Sequence, residues 1–411
     1  MRIRMILLAA LAVLPASPAA ADPVTDWWEV ANRYWLIGQG SPAPRTADAE
    51  RASTRATLAM FEAVNAIDRR YESHLGFPAA DPTASQDAAA ATAAHRVLLK
   101  HYPAQKTTLD ESYAMAMALI PAGAAKELGI GVGERAAQAA ADVNGLDPAI
   151  ALVQFRPSTA PGVWIGAAPP SLDSHWAALR PWAMGSPDAL RPPPPPALDS
   201  AIWARDLEEV RRLGARASTE RTPEQTLIAR NRQGFDLGPM VRWIADRPGR
   251  RQVDNARLLA LYQMAFDDAA QAMVEAKLHY NFWRPITAIR NGDADGNDAT
   301  QHDPAWVPLL GTPNFSEYPC GHCTAVAVEA EVLKLVGDVP AGTPIRVAAS
   351  GNPNLVLQGV SDWDEVVRQV SDARMYGGVH YRFSNDAGEE IGRRAARLVV
   401  DTLLQPLPGR R

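Results

Sequence analysis

The chain has 411 residues, of which 47% are hydrophobic and 21% are charged, and its formal net charge at pH 7 is -5. This length allows one large domain or two ordinary ones, and the apolar share is typical of a globular protein with a full core. The acidic balance and the absence of a basic run exclude nucleic acid and anionic membrane as the main partner.

The first residues have the pattern of a secretory signal. Two arginines precede an apolar stretch that ends at Leu14, and Ala19-Ala20-Ala21 offers a cleavage site before Asp22. We predict a signal peptide over residues 1–21 and a secreted or periplasmic mature protein. The apolar stretch is too short to span a bilayer, so a retained anchor is the weaker alternative, and no later segment is long enough for a membrane span.

Apolar spacing predicts a mainly helical chain. From Thr25 to about Gly145 it favours helices over 55–71, 87–102, 107–120 and 133–144. Residues 155–200 are rich in proline, which disfavours helix, but contain three tryptophans. We therefore predict an ordered connection that lies over the helical body, rather than a flexible linker or a recognition ligand.

Helices resume near Ser200. Thr222-Pro223-Glu224-Gln225 has the residues of a helix start, and 257–290 reads as a long helical stretch interrupted at Pro285. We predict an all-α fold of packed helical bundles. Its parts are an N-terminal helical region, 22–215, which includes the connection, and a C-terminal helical domain, 216–411, which carries the functional site.

The acidic loop Asn291–Asp303 resembles a calcium-binding loop only at first sight. Aligned from Asp293, its glycine falls at the fourth position instead of the sixth, and the closing acidic residue is absent. We predict a turn-rich loop, with calcium an unlikely cofactor.

The stretch Glu317–Thr324 contains Pro-Cys-Gly-His-Cys and leads into an apolar segment with helical spacing. The first turn of such a helix presents free N–H groups and the positive end of the helix dipole. A glycine there lets an anion approach the backbone. With His322 beside it, the pattern predicts a bound oxyanion next to a proton-transfer group.

The two cysteines of the chain, Cys320 and Cys323, both lie in this stretch. In an oxidising compartment they can close a disulfide. Cys-Gly-His-Cys is also typical of thioredoxin-like oxidoreductases, but residues 309–314 do not read as the strand that such a domain needs. A zinc site would need two more ligands, and none is evident nearby.

Two further segments carry chemistry. Lys277 and Arg284 are seven residues apart, so on a continuous helix both can face one pocket. In the third segment, Gly377 and Gly378 let the chain turn so that Arg374 and His380 can converge. We expect Ser361 to cap the helix that carries Arg374.

These three segments together resemble a known signature. K-x6-R-P, P-C-G-H and A-R-x5-H are similar to the motifs of the superfamily that joins type 2 phosphatidic acid phosphatases, bacterial acid phosphatases and vanadium-dependent haloperoxidases. The surroundings, including residues 59–66, the run 192–196 and residues 221–226, resemble the secreted bacterial haloperoxidase-like branch.

The resemblance implies a role for each matching residue. Lys277, Arg284 and Arg374 would hold the oxygens of vanadate or phosphate, which is physically reasonable because fixed cations neutralise a charged tetrahedral anion. The Gly321 N–H would add a hydrogen bond, and His322 would transfer protons. His380 would be the ligand of vanadium, or the nucleophile if the anion is a phosphoester.

Two departures from the signature stand out. Cys320 replaces a serine whose hydroxyl would bond the oxyanion, and a thiol is a weaker donor. That donor is lost entirely if Cys320 is bonded to Cys323. Ala373 replaces a second serine.

Three functions follow from these observations. The first is a haloperoxidase that uses vanadate and hydrogen peroxide to oxidise a halide, and the second is an acid phosphatase that hydrolyses phosphomonoesters through a phosphohistidine. The third is a non-enzymatic anion-binding or thiol-redox protein. Assembly into a homo-oligomer stays open.

Overall fold

The structure is a computed structural model that describes residues 22–37, 46–147, 150, 158–166, 174–233, 235–349, 352–357 and 360–409. The predicted signal peptide and part of the predicted connection, including 167–173, lie outside these described residues.

The described chain is predominantly helical, which confirms the all-α prediction. Its α-helices are α1 (Pro23–Ile37), α2 (Thr46–Ile67), α3 (Gln86–His101), α4 (Lys106–Ala118), α5 (Ala124–Ala140), α6 (Ala201–Leu213), α7 (Pro223–Asn231), α8 (Gly238–Ala245), α9 (Gln252–Tyr280), α10 (Pro285–Arg290), α11 (Gly321–Val336), α12 (Trp363–Tyr376) and α13 (Arg382–Thr402). Among them, none is long and apolar enough to cross a membrane.

One small antiparallel sheet was not predicted. Strands β1 (Phe235–Asp236), β2 (Val347–Ala349) and β3 (Asn352–Leu357) pair in the order β1-β2-β3. In register, Phe235 faces Ala349, and Val347 faces Leu357. Strands β1 and β2 have two and three residues, too few for an alternating pattern to be recognised, and the six residues of β3 begin with Asn-Pro-Asn, which is typical of a turn.

Helix α9 is the centre of the molecule. It packs against α2 on one side and against α11 and α13 on the others, so it is buried nearly all round. A helix without a wide polar face is expected to lie inside a protein. The long predicted stretch 257–290 is therefore α9 followed by the short α10.

The start of α11 is held by α13. A Cβ atom added at Gly388 would lie 2.4 Å from the carbonyl oxygen of Cys320, and one at Gly392 would lie 2.5 Å from that of Thr324. Only residues without a side chain allow this approach. The two glycines thus allow the backbone of α13 to pack directly against the first turn of α11, where the predicted anion site begins.

Helix boundaries in the first half differ from the prediction for identifiable reasons. Helix α2 runs over Thr46–Ile67 rather than 55–71, because its first half buries polar residues that hide the apolar spacing. Helix α5 begins at Ala124 rather than at 133. Gly129 and Gly133 look like helix breakers in the sequence, yet they allow α5 to pack closely on α3.

Capping was predicted correctly at one helix and wrongly at another. At α7, Thr222 and Gln225 form the expected capping box, with Pro223 in the first turn. At α12 the N-cap is Asp362, whose side chain accepts the N–H of Asp364, and not Ser361. The aspartate is one residue closer to the first turn and carries a stronger acceptor.

The described part of the proline-rich connection is ordered over the helical body, as predicted. Its tryptophans are buried: Trp164, Trp176 and Trp182. The Asp268 carboxylate on α9 accepts the backbone N–H groups of Trp182, Ala183 and Met184 at 2.7, 2.8 and 3.2 Å. A carboxylate with three such donors fixes this segment against the central helix.

The acidic loop at 291–303 is held together by hydrogen bonds to the carboxylate of Asp295. Asp295 accepts hydrogen bonds from the Trp203 indole N–H at 2.9 Å, from the N–H of Asn297 and from the Thr300 hydroxyl. These contacts are those of a turn-rich loop, as predicted.

Candidate active site

Lys277 and Arg284 lie on either side of a helix break. Helix α9 ends at Tyr280, and Asn281 adopts a left-handed conformation with φ 44°. The interruption predicted at Pro285 is present, but it begins earlier, at Asn281, and Pro285 is the first residue of α10. The break reorients the chain between the two cations, so their shared location does not come from helical spacing.

The same loop binds both cations through its carbonyl oxygens. Lys277 Nζ donates to Ser316 O at 3.1 Å and to Glu317 O at 2.7 Å. Arg284 Nε donates to Phe315 O at 2.8 Å. Both side chains are buried. Residues 315–317 thus fix the two cations beside the start of α11.

Helix α11 begins at Gly321, so Gly321 and His322 lie in its first turn. The position of a Cβ on Gly321 would be 3.9 Å from Lys277 Cε and 3.5 Å from Met273. The N–H groups of this turn have no partner within the helix and carry the positive end of its dipole. They lie next to the cations, as the sequence predicted.

Cys320 departs from its predicted role in oxyanion binding. It is joined to Cys323 by a disulfide, and its sulfur accepts the N–H of Cys323 at 3.2 Å as the N-cap of α11. A disulfide sulfur carries no hydrogen, so the side chain cannot donate to an anion. Its backbone N–H is already bound to Ser384 O at 3.0 Å.

His380 reaches the same site from the other side. Gly378, at φ 75°, turns the chain after α12, and His380 is almost completely buried. Its Nε2 lies 3.2 Å from Arg284 Nη1, which also donates to Val379 O at 2.9 Å. Arg284 thus connects the 315–317 loop with the segment that carries His380.

Arg374 is buried in the last turn of α12 and repels the other cations. Burial and the nearby Arg284 lower its pKa to about 9. Burial lowers the pKa of Arg284 to about 10, although Glu317 opposes the shift. Burial, then Arg284, depresses the pKa of Lys277 strongly. Each cation is therefore held at an energetic cost that a bound anion would relieve.

His322 is the member of the site that is exposed to solvent. The positive charge of Arg374 is the main cause that lowers its pKa, followed by loss of hydration and by Arg284 and Lys277. Solvent screens part of this repulsion. The neutral imidazole is favoured as long as no anion offsets the cations.

Glu317 is the site residue that the sequence analysis missed. Its buried carboxylate accepts from His380 Nδ1 at 2.6 Å and from the Tyr381 N–H at 3.2 Å. Burial raises its pKa to about 7, against the effect of Arg284 and Lys277. The available signal was an acidic residue directly before the Tyr-Pro-Cys-Gly turn, in a segment expected to meet buried cations.

A cluster of buried aromatic residues lies beside the segments that carry the cations. Trp283 stacks on Trp203 with ring centroids 5.8 Å apart. The hydroxyl groups of Tyr280 and Tyr318 donate to the carbonyl oxygens of Pro192 and Pro193 at 2.6 and 2.7 Å. The proline run, which the sequence placed over the helical body, therefore lies against the loops that hold the cations.

The residues present fit a tetrahedral oxyanion such as vanadate or phosphate. Arg284 Nη2 and Arg374 Nε are buried and have no hydrogen-bond partner among the described residues. Buried donors of this kind are rare and call for an acceptor. Among the described residues, the buried carboxylate of Glu317 acts on Lys277 and Arg284, whereas Arg374 is affected by burial and by the charge of Arg284. A bound anion would offset the repulsion between these cations. The donor set offers nitrogen donors only, which suits an oxyanion.

Comparison with known proteins gives matches to one family. Residues 257–409 match the family model described as the VCPO second helical-bundle domain. No curated protein matches the chain.

Solved structures share the fold. A bacterial vanadium-dependent iodoperoxidase matches with a TM-score of 0.71 at 20% identity, over 95% of this chain and 98% of that one. The apo form of a bacterial vanadium-dependent chloroperoxidase matches with a TM-score of 0.63 at 17% identity, over 89% and 96% of the two chains. A holo form of a bacterial vanadium-dependent chloroperoxidase matches with a TM-score of 0.64 at 17% identity, over 93% of each chain.

Proposed function

We propose that the chain is a vanadium-dependent haloperoxidase, which binds vanadate and oxidises a halide with hydrogen peroxide. The match of residues 257–409 to the VCPO second helical-bundle domain and the shared fold support this proposal. The observation that carries this proposal is the group of three buried cations around His380, two of them with unpaired donor atoms. Vanadate, when bound, supplies the centre at which peroxide is activated.

The protein's own residues would bind that anion and move protons. Lys277, Arg284 and Arg374 hold its oxygens, and the first turn of α11 adds the N–H of Gly321. His380 offers Nε2 on the buried side. His322, which is neutral and open to solvent, accepts a proton from incoming hydrogen peroxide.

A phosphomonoesterase is the second candidate, and the contact between His380 and Glu317 favours it. A histidine whose Nδ1 donates to a carboxylate keeps its lone pair on Nε2, which can attack phosphorus once the contact with Arg284 Nη1 is released. The P–N bond forms as the P–O bond to the alcohol breaks, His322 gives its proton to the leaving oxygen, and water then hydrolyses the phosphohistidine. An anionic substrate would raise the pKa of His322 and favour the protonated form that this step needs.

Burial argues against the thiol-redox alternative. Thiol–disulfide exchange requires a thiolate to reach a sulfur of the disulfide. Cys320 and Cys323 are both fully buried. We therefore assign the disulfide a structural role at the start of α11.

In accord with the N-terminal signal pattern, we propose that the enzyme acts outside the cytoplasm.

One experiment tests both candidates. The purified protein is incubated with vanadate, hydrogen peroxide and bromide from pH 5 to 8, and separately with a chromogenic phosphomonoester. We expect vanadate-dependent bromination that is abolished by His380→Ala and retained by His279→Ala, a matched change at an exposed histidine. Phosphoester hydrolysis without bromination would favour the second candidate, and an unchanged activity in His380→Ala would refute the role of His380 in either reaction.

A further inference from the structure

Both ring nitrogens of His380 have fixed partners. Nδ1 lies 2.6 Å from Glu317 Oε1, and the same oxygen accepts the N–H of Tyr381 at 3.2 Å. An ionised carboxylate has acceptor oxygens only, so Oε1 of the Glu317 carboxylate accepts from both groups and Nδ1 carries a hydrogen.

The second ring nitrogen gives the same assignment independently. Nε2 lies 3.2 Å from Arg284 Nη1. A guanidinium group has donors but no acceptor, so Nε2 meets it with a lone pair. A hydrogen on Nε2 would place two donors against each other in a buried site.

The carboxylate that sets this arrangement is itself fixed. The N–H of Glu317 donates to Phe282 O at 2.8 Å, and its carbonyl oxygen accepts from Lys277 at 2.7 Å. The side chain is fully buried. Glu317 therefore cannot shift away from His380 without breaking the loop that also holds a cation.

We propose that Glu317 is a positioning residue that holds His380 as the Nδ1–H tautomer, with the Nε2 lone pair available to the oxyanion. The inference rests on the proposed function, because it takes His380 as the residue that contacts the anion. Fixing the partner of the remote ring nitrogen is the general means by which a histidine is oriented toward its target. Arg284 holds Nε2 until an anion takes its place, and Glu317 keeps the ring from turning.

The test measures the tautomer directly. Protein labelled with 15N-histidine, in phosphate-free buffer without vanadate, peroxide or halide, is studied by NMR that correlates ring nitrogens with ring hydrogens. The signals of His380 are assigned from their loss in His380→Asn. We expect a protonated Nδ1 and an unprotonated Nε2 in the wild type.

Two variants of Glu317 distinguish the effect of its acceptor oxygen from the effect of its negative charge. Glu317→Gln keeps an acceptor oxygen, so we expect the same tautomer and a kcat for bromination about 10-fold lower. Glu317→Leu removes the acceptor and leaves only the 3.2 Å contact with Arg284, which does not stop the ring from turning, so we expect a mixture of tautomers and a kcat about 100-fold lower. The KM for bromide should stay close to the wild-type value in both variants. Glu62→Gln is the matched control, since Glu62 is buried and bonded to Ser73 and Leu75 away from the site.

A protonated Nε2 in the wild type would overturn the proposal, as would a leucine variant with an unchanged tautomer and kcat. If the leucine variant does not fold, the glutamine variant decides, and a wild-type kcat would then reject the role of the carboxylate. The tautomer is observed without turnover. A protein that shows the expected tautomer but no bromination would therefore contradict the proposed function and not this inference.

Discussion

Cys320 shows how one residue changes the chemistry that a motif implies. Its neighbours occupy the predicted positions, but its sulfur is bonded to Cys323 and has no hydrogen to donate. The signature predicted an oxyanion donor at this position, whereas the structure assigns the side chain to the N-cap of α11. A serine here would cap the helix at least as well and would also carry an O–H.

We therefore predict that Cys320→Ser strengthens oxyanion binding. One added hydrogen bond contributes about 0.5–1.5 kcal/mol, which corresponds to a Kd about 2- to 10-fold lower for phosphate or vanadate by calorimetry. Cys323→Ser is the matched control, because it also opens the disulfide but leaves a thiol, a weaker donor, at position 320. Equal gains in the two variants would attribute the effect to the opened disulfide and contradict the role of the hydroxyl.

Glu317 marks the limit of sequence reasoning at the residue scale. Lys277, Arg284, Arg374, His322 and His380 were recognised because their spacing matches a known signature. Glu317 lies 63 positions from His380 and belongs to no part of that signature. Its partner becomes visible only when the loop before α11 is placed against the segment after α12.

At the scale of elements, two adjacent aspartates of α9, Asp267 and Asp268, bind the proline-rich segment at residues 182–184. Asp267 accepts from the Trp182 indole N–H at 2.9 Å and pairs with Arg51 of α2 at 2.9 Å. Asp268 binds the backbone of residues 182–184. Two adjacent carboxylates of one helix thus fix a segment without regular structure and the neighbouring helix α2.

Asp268→Asn should destabilise the fold, and by an amount that depends on pH. The amide replaces one acceptor oxygen by a donor that faces backbone N–H groups, which costs about 1–3 kcal/mol. Burial raises the pKa of Asp268 from 3.8 to about 7, so the folded wild type binds a proton that the unfolded chain releases. The wild-type advantage is then fully present below pH 4 and declines as pH rises to about 7.

Chemical denaturation at pH 4, 5.5, 7 and 8 measures this dependence. The difference in unfolding free energy between the wild type and Asp268→Asn should shrink between pH 4 and 7 and stay constant above that range. Asp401→Asn, at an exposed position, is the control and should show no such trend. A difference that grows with pH would mean that the pKa of Asp268 is lowered rather than raised.

At the scale of the whole molecule, the site joins distant parts of the chain at an energetic cost. Three buried cations from α9, the start of α10 and α12 meet there, and in the part of the chain that the structure describes the buried carboxylate of Glu317 offsets two of them. Their repulsion opposes the packing of these elements. An oxyanion that binds the folded state and not the unfolded chain should therefore stabilise the entire fold.

We predict that phosphate and vanadate raise the melting temperature. At a concentration of about 100 times the Kd, the gain in unfolding free energy is about 2.7 kcal/mol. Differential scanning calorimetry measures the rise, with sodium chloride at equal ionic strength as reference. Arg374→Met should weaken binding by about 10- to 100-fold and reduce the rise, whereas Arg368→Met, at an exposed position of the same helix, should not. An equal rise with chloride would exclude a specific anion site.

The sequence by itself determined the helical class, and it predicted an anion site at the start of α11 with five of its charged or titratable residues. These features depend on local spacing, on the chemistry of a helix N-terminus and on a motif of fixed letters. The tertiary structure decided the break at Asn281, the loss of the Cys320 donor, the pairing of His380 with Glu317 and the anchoring of the connection by Asp268. Each of these depends on contacts between residues that are distant in the chain, or on a covalent bond that the sequence left open, and no local pattern specifies which partners burial brings together.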